Sequence, residues 1–194
     1  IVTDAPKFGF GGNVEASYGN YDALILKGVV TGPVSEQLAV SLAGGINKRD
    51  GYNQDLGTGN RTNERNRWFV RGQALWEPTA QTRVRLIGDY SKIDEICCGV
   101  VNLQPSLATL AIRALGGQVN GPDAIFADKV YSNIDSTNNI ENWGISGQID
   151  HDIGPLTLTS ITAYRRTNAV TDQDSDFSSA DLIGRNAADQ SIKT

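Results

Sequence analysis

Arg67-Trp68-Phe69-Val70-Arg71-Gly72-Gln73-Ala74-Leu75-Trp76-Glu77 is the stretch on which the reading of the fold turns. Successive side chains of a strand point to opposite sides of a sheet, so residues two apart share a face. On that period Trp68, Val70, Gly72, Ala74 and Trp76 form an apolar side with a tryptophan near each end. Arg67, Arg71, Gln73 and Glu77 dominate the other side, interrupted by Phe69 and Leu75. No helical period sorts these residues as cleanly.

The pattern repeats on either side. Segment 82–92 sets Val84, Leu86, Gly88 and Tyr90 against Arg83, Arg85, Asp89 and Ser91, with Ile87 among the polar residues. Segment 141–152 sets Trp143, Ile145, Gly147 and Ile149 against Asn142, Gly144, Ser146, Gln148 and Asp150. Segments 9–18, 21–31, 37–47 and 156–166 alternate less cleanly. Alternation of this kind describes a soluble antiparallel sheet with one wet face as well as a membrane-spanning one.

Connection lengths separate the two. Links 32–36, 78–81 and 153–155 are short, whereas 48–66, 93–140 and 167–185 are long. After the first hairpin, short and long alternate, which gathers the long loops at one end of the sheet. Outer-membrane barrels combine short periplasmic turns with long extracellular loops, and their strands are about ten residues long. The expected fold is therefore all-β: an antiparallel transmembrane β-barrel segment of about seven or eight strands. On this reading residues 1–194 form one partial barrel domain. Arg67, Arg71, Gln73, Glu77, Arg83, Arg85 and Asp89 face a wet lumen. Trp68, Val70, Trp76, Val84, Leu86, Tyr90 and Trp143 face lipid, because an arginine on the lipid side costs roughly 2–4 kcal/mol at the midplane.

Composition narrows the function. The 194 residues are 39% hydrophobic and 20% charged, enough for one ordinary domain and too apolar for disorder. A net charge of −5 argues against a nucleic-acid partner. No run approaches the length of an apolar membrane helix, and the first residues have no apolar leader segment. His151 is the only histidine, and no Ser or Cys has a histidine–carboxylate relay near it in sequence. No glycine cluster matches a phosphate-binding fingerprint. The chain is expected not to be an enzyme and to need no cofactor.

Loop 48–66 offers Arg49, Tyr52, Arg61 and Arg65 as candidate ligand-contacting groups within a run of turn-forming residues. In loop 93–140, Ser106 can cap a helix over 107–115, with Leu107, Leu110, Ala111, Ala114 and Leu115 as a stripe that packs onto other loops. Cys97 and Cys98 are adjacent: two free thiols avoid a small strained ring, whereas oxidation in an exported loop favours a vicinal disulfide by a narrow margin. Asp172, Asp174 and Asp176 alternate like the opening of a calcium loop. Phe177 and Ile183 then replace the residues such a loop needs, so no metal site is expected beyond these three candidate oxygen ligands.

Taken in order, Tyr18-Gly19-Asn20-Tyr21, Thr31-Gly32-Pro33, Arg49-Asp50-Gly51-Tyr52, Arg71–Pro78, Leu86–Tyr90 and Asp152–Arg165 resemble the early barrel section of TonB-dependent outer-membrane receptors. The resemblance implies a place in the bacterial cell outer membrane and uptake of a scarce nutrient, such as an iron–siderophore complex. It implies outer-membrane lipid, a plug domain, the remaining barrel, the TonB complex and a small nutrient ligand as partners. A plug, a TonB-contacting segment and a closing terminal strand have no counterpart here, so the resemblance is to a slice of such a receptor. Two other readings compete with it. One is a complete small eight-stranded outer-membrane barrel with a structural or adhesive role, closed by pairing 182–194 with 9–18. The other is a soluble β-sheet glycan-binding module working through its long loops, with Trp68, Trp76 and Trp143 in a buried core.

Overall fold

Strand-forming residues alternate with turn residues along this chain, and each strand in the computed structural model pairs with the next long strand in sequence. The structure describes residues 3–194. The strands are β1 (Gly11–Gly19), β2 (Ala23–Ser35), β3 (Leu38–Arg49), β4 (Asn53–Asp55), β5 (Arg61–Thr62), β6 (Arg65–Thr79), β7 (Thr82–Ile96), β8 (Lys129–Val130), β9 (Thr137–Ile153), β10 (Leu156–Gln173) and β11 (Asn186–Lys193). One helix, α1 (Leu107–Ala114), lies between β7 and β8. Eight strands form one antiparallel sheet in the order β1-β2-β3-β6-β7-β9-β10-β11. Pro33 lacks an N–H and sits at a register shift between Pro33 and Ser35, where the ladder does not need one. At one end of the sheet β2 meets β3, β6 meets β7 and β9 meets β10 through two-residue turns, the last with Gly154 at φ 61°. Segments 50–64, 97–136 and 174–185 lie at the other end. Strands β6, β7, β9 and β10 run 15, 15, 17 and 18 residues, so they continue into what the sequence suggested were loops.

The sheet is open. β1 pairs only with β2, and β11 pairs only with β10. This corrects the expectation of a transmembrane β-barrel segment: the eight strands form an open antiparallel sheet. It corrects the small-barrel alternative too, because the last strand does not reach 9–18. An open sheet encloses no lumen, so the reading as a fragment of an outer-membrane receptor for nutrient uptake is overturned by the same finding. The place in the bacterial outer membrane that the resemblance implied is corrected on the same ground, because hydrocarbon would leave the free backbone groups of two sheet edges without partners. Separately, no described helix is long and apolar enough to cross a membrane.

Register groups side chains into two faces. Val70 lies opposite Tyr90 and Trp76 opposite Val84, while Tyr90 lies opposite Trp143. Trp68, Trp76 and Trp143 remain 42%, 49% and 37% exposed. These tryptophans therefore do not form the buried core that a packed sandwich requires. Trp68 packs on Tyr90 with ring centroids 5.1 Å apart, and Trp143 on Tyr164 at 5.5 Å. A shallow groove of about 680 Å³ crosses this face between Ala74, Leu86 and Ile145.

Charges on the opposite face pair with one another, which offsets the cost of bringing them together. Arg165 grips Asp89 with both terminal nitrogens at 2.8 and 3.0 Å, and Arg71 stands 3.9 Å from the same carboxylate. Arg83 donates to Glu77 at 2.9 Å. Arg67 clasps the buried Glu95 at 2.5 and 2.8 Å. Arg85 donates to Gln73 and also to the carbonyls of Thr3 and Asp4, so the chain's first described residues lie across this face. "Lumen-facing" and "lipid-facing" thus become the polar and apolar faces of an open sheet.

Fully buried side chains concentrate at the loop end. Val130 and Ser178 are completely buried there, and Ile112 of α1 and Ala180 are buried as well. The helix turns a different side inward from the one its leucines suggested. Thr109 and Ile112 are its buried residues, while Leu107, Leu110 and Leu115 are exposed. The Thr109 hydroxyl accepts from the Ser106 N–H at 3.0 Å, satisfying one free donor at the helix start.

Candidate binding site at the loop end

β4 joins two loops into a second, three-stranded sheet, pairing antiparallel with β5 and parallel with β8. Asp55, at the end of β4, is buried and works as a pin. Its Oδ1 accepts from the N–H groups of Gly57 (2.8 Å), Thr58 (3.2 Å) and Ser132 (3.0 Å). Gly57 is required where it stands, since a Cβ there would lie 1.9 Å from the Ser132 carbonyl oxygen.

Asp174 is the second pin, 1% exposed. Its Oδ1 accepts from Asp176 and Phe177, both at 3.0 Å, and its Oδ2 from Asn133 at 3.2 Å. Burial raises its pKa above the ordinary aspartate range, against the pull of those three N–H donors. Asp176 accepts from Leu182 and Ile183, and Asp172 pairs with Arg185 at 3.2 Å. The carboxylates that alternate like a calcium loop therefore hold backbone and an arginine, and no metal-binding group of three such side chains occurs among the described residues.

Beside these pins lies a partly exposed aromatic cluster. The β1–β2 turn puts Tyr21 and Asp22 in the left-handed region, at φ 61° and 51°. The Tyr21 carbonyl accepts from the Asp50 N–H at 2.8 Å, which fixes the turn against the end of β3. Tyr21 and Tyr52 thereby meet with ring centroids 6.3 Å apart and planes at 58°, and they stay 45% and 38% exposed. The Arg49 guanidinium lies over Tyr52, 5.0 Å from its centroid. Arg49 Nη2 donates to the Asn63 carbonyl at 2.7 Å, whereas its Nε is buried without an acceptor. Tyr18 donates its hydroxyl to Asp22. That hydrogen bond and the carboxylate's charge raise the Tyr18 pKa above its ordinary value.

Of the four loop residues singled out from sequence, Arg49 and Tyr52 meet in this cluster. Arg61 holds the loop by donating to the Gly51 carbonyl at 3.2 Å. Arg65 lies opposite Arg49 in the β3–β6 ladder, and its charge acts on Glu95. Tyr18, Tyr21 and Asp22 escaped that selection because they flank a short turn, although the Gly19-Asn20 step marks a turn in the sequence. His151 lies at the far end of the sheet, its Nδ1 3.0 Å from the Thr82 hydroxyl oxygen.

Cys97 and Cys98 are joined to each other by a disulfide. Cys98 adopts φ 72°. The N–H groups of Cys98 and Gly99 converge on Asn63 Oδ1 at 2.9 and 3.3 Å, and the Cys97 N–H donates to the Ser136 carbonyl at 2.8 Å.

No protein-family model and no curated protein matches the chain. Among solved structures it is similar to the ferric-catecholate import receptor Fiu from E. coli K12 in its closed form. The TM-score is 0.69 at 14% identity, over the whole of this chain and 28% of the receptor. The likeness is one of fold with part of a larger import receptor. The chain spans little more than a quarter of that receptor's length.

Proposed function

We propose that the chain is a β-sheet binding module that takes a glycan at its loop end. The observation that carries this reading is the Tyr21–Tyr52 pair, part-exposed and set beside Arg49, Asp22 and Asp50. Sugar rings present apolar C–H faces that pack on aromatic rings, and their hydroxyls accept hydrogen bonds from a guanidinium and donate them to carboxylates. The groove on the apolar face supports a glycan less well, because its lining is almost wholly apolar. The reading is of a site that binds, and no catalytic step is part of it. The fold likeness to part of a larger receptor supports a place within a larger protein, whose other domains, a plug among them, are the partners the resemblance implies.

Titration calorimetry with chitohexaose, cellohexaose and maltohexaose tests the reading. One of the three is expected to bind, and Tyr52→Ala to weaken it about tenfold, the loss of one aromatic contact. Binding unaffected by Tyr21→Ala and Tyr52→Ala, or no binding of any of the three, would overturn it.

A further inference from the structure

We propose that the Cys97–Cys98 disulfide is a redox-responsive latch on the Tyr21–Tyr52 site, opened by a dithiol reductant; its effect on affinity rests on the glycan reading above. A continuous set of contacts links the two. Bonding between neighbouring cysteines closes a small ring, and Cys98 within it adopts φ 72°, a conformation L-residues rarely take. In that conformation the Cys98 and Gly99 N–H groups both reach Asn63 Oδ1. Asn63 is itself left-handed, at φ 65°, and its carbonyl receives Arg49 Nη2 at 2.7 Å. Arg49 Nε has no acceptor, so its guanidinium is placed by that bond and by its packing on Tyr52. The disulfide therefore acts on the aromatic pair through Asn63 and Arg49.

Reduction is chemically accessible because Cys98 is exposed. A thiolate of the dithiol attacks one sulfur and forms a mixed disulfide, and the reductant's second thiol then displaces the protein. Cys97 and Cys98 leave as two thiols, having taken two electrons and two protons, and the reductant becomes a cyclic disulfide. With the ring open, Cys98 can return to negative φ. Its N–H then turns away from Asn63, and the loop carrying Arg49's acceptor loosens. The chain has only these two cysteines, so a dithiol acts at one place.

The test compares the oxidised and the dithiothreitol-reduced chain by amide hydrogen exchange, by the NMR signals of Arg49 and Tyr52, and by titration with the hexasaccharide that binds. Reduction should speed exchange at Cys98 and Gly99 about tenfold, shift the Arg49 and Tyr52 signals and weaken binding about tenfold. Unchanged exchange and unchanged Arg49 signals would overturn the latch. Asn63→Ala, which breaks the link and keeps the disulfide, should leave Arg49 indifferent to reduction; an Arg49 response that survives in N63A would also overturn it. Should the oxidised chain bind no hexasaccharide, the glycan reading fails, and the exchange and Arg49 signals still decide the latch.

Discussion

The eight-stranded sheet is held by backbone ladders between consecutive hairpins, whereas the loop end is held by two buried aspartates that reach across separate loops. In the sheet, no single side chain closes the structure. Its apolar face stays exposed, and its polar face is tied by ion pairs. In the loop end, one carboxylate oxygen on Asp55 serves three N–H donors, so a small number of atoms carries the arrangement. Ladders spread stability over many weak contacts. Pins concentrate it, and concentrated stability is vulnerable to single substitutions.

The contrast should be sharpest for Asp55→Ala. Three N–H groups would lose their acceptor, at about 1–3 kcal/mol for the buried Ser132 donor and less for those of Gly57 and Thr58, which water can reach. Amide exchange should accelerate around 55–62 and 129–136 while the β6, β7 and β9 ladders stay protected. Loss of protection throughout the sheet would break the comparison. Gly57→Ala should unseat the same loop at about 1–3 kcal/mol, because its Cβ meets the Ser132 backbone. Proteolysis at the loop end, with the sheet resisting, is the readout.

Acid titration should separate two carboxylates of opposite sign. Burial pushes the Glu95 carboxyl up, but the Arg67 hydrogen bonds, the Asn66 N–H and the nearby Arg65 charge outweigh it and hold the pKa below the ordinary glutamate value. Its contribution is therefore complete above that ordinary value and is lost as pH falls through the depressed one. Asp174 is raised, so its folded form favours the proton. Stability from that group is greatest below the ordinary aspartate value and declines as pH rises from there to the raised value. Denaturant midpoints of Glu95→Gln and the parent chain should converge in acid and part toward neutral pH, by about 2 kcal/mol for a part-exposed pair. Equal separation at every pH would remove Glu95 from the account.

Trp68→Ala should have the smallest effect, about 1 kcal/mol, because the ring gives up mainly its packing on Tyr90. A cost several times larger by urea denaturation would mean that the apolar face is covered in solution.

Sequence gave up the strands readily, since period two in 67–77 and 82–92 needs only local order to be seen. What closes a sheet is not local: alternation sorts faces but says nothing of what the outer edges of β1 and β11 meet. The loop end was illegible for the same reason. Asp55 and its donor Ser132 stand 77 positions apart. Nor did the leucine spacing of α1 reveal that Ile112 and Thr109 would be the side to pack. Arg49 and Tyr52 were readable as candidates because they flank a turn. Tyr21 joined them only through the bond between its carbonyl and Asp50.

The parallel pairing of β4 with β8 bears on the order in which the molecule assembles. Every neighbouring pair in the large sheet can form by adding one hairpin, or one strand after a loop, to what already exists. β4 must instead wait for a segment delivered after β7 and α1. Closing long loops is slow, so folding should zip along the ladder first and join these two short strands late.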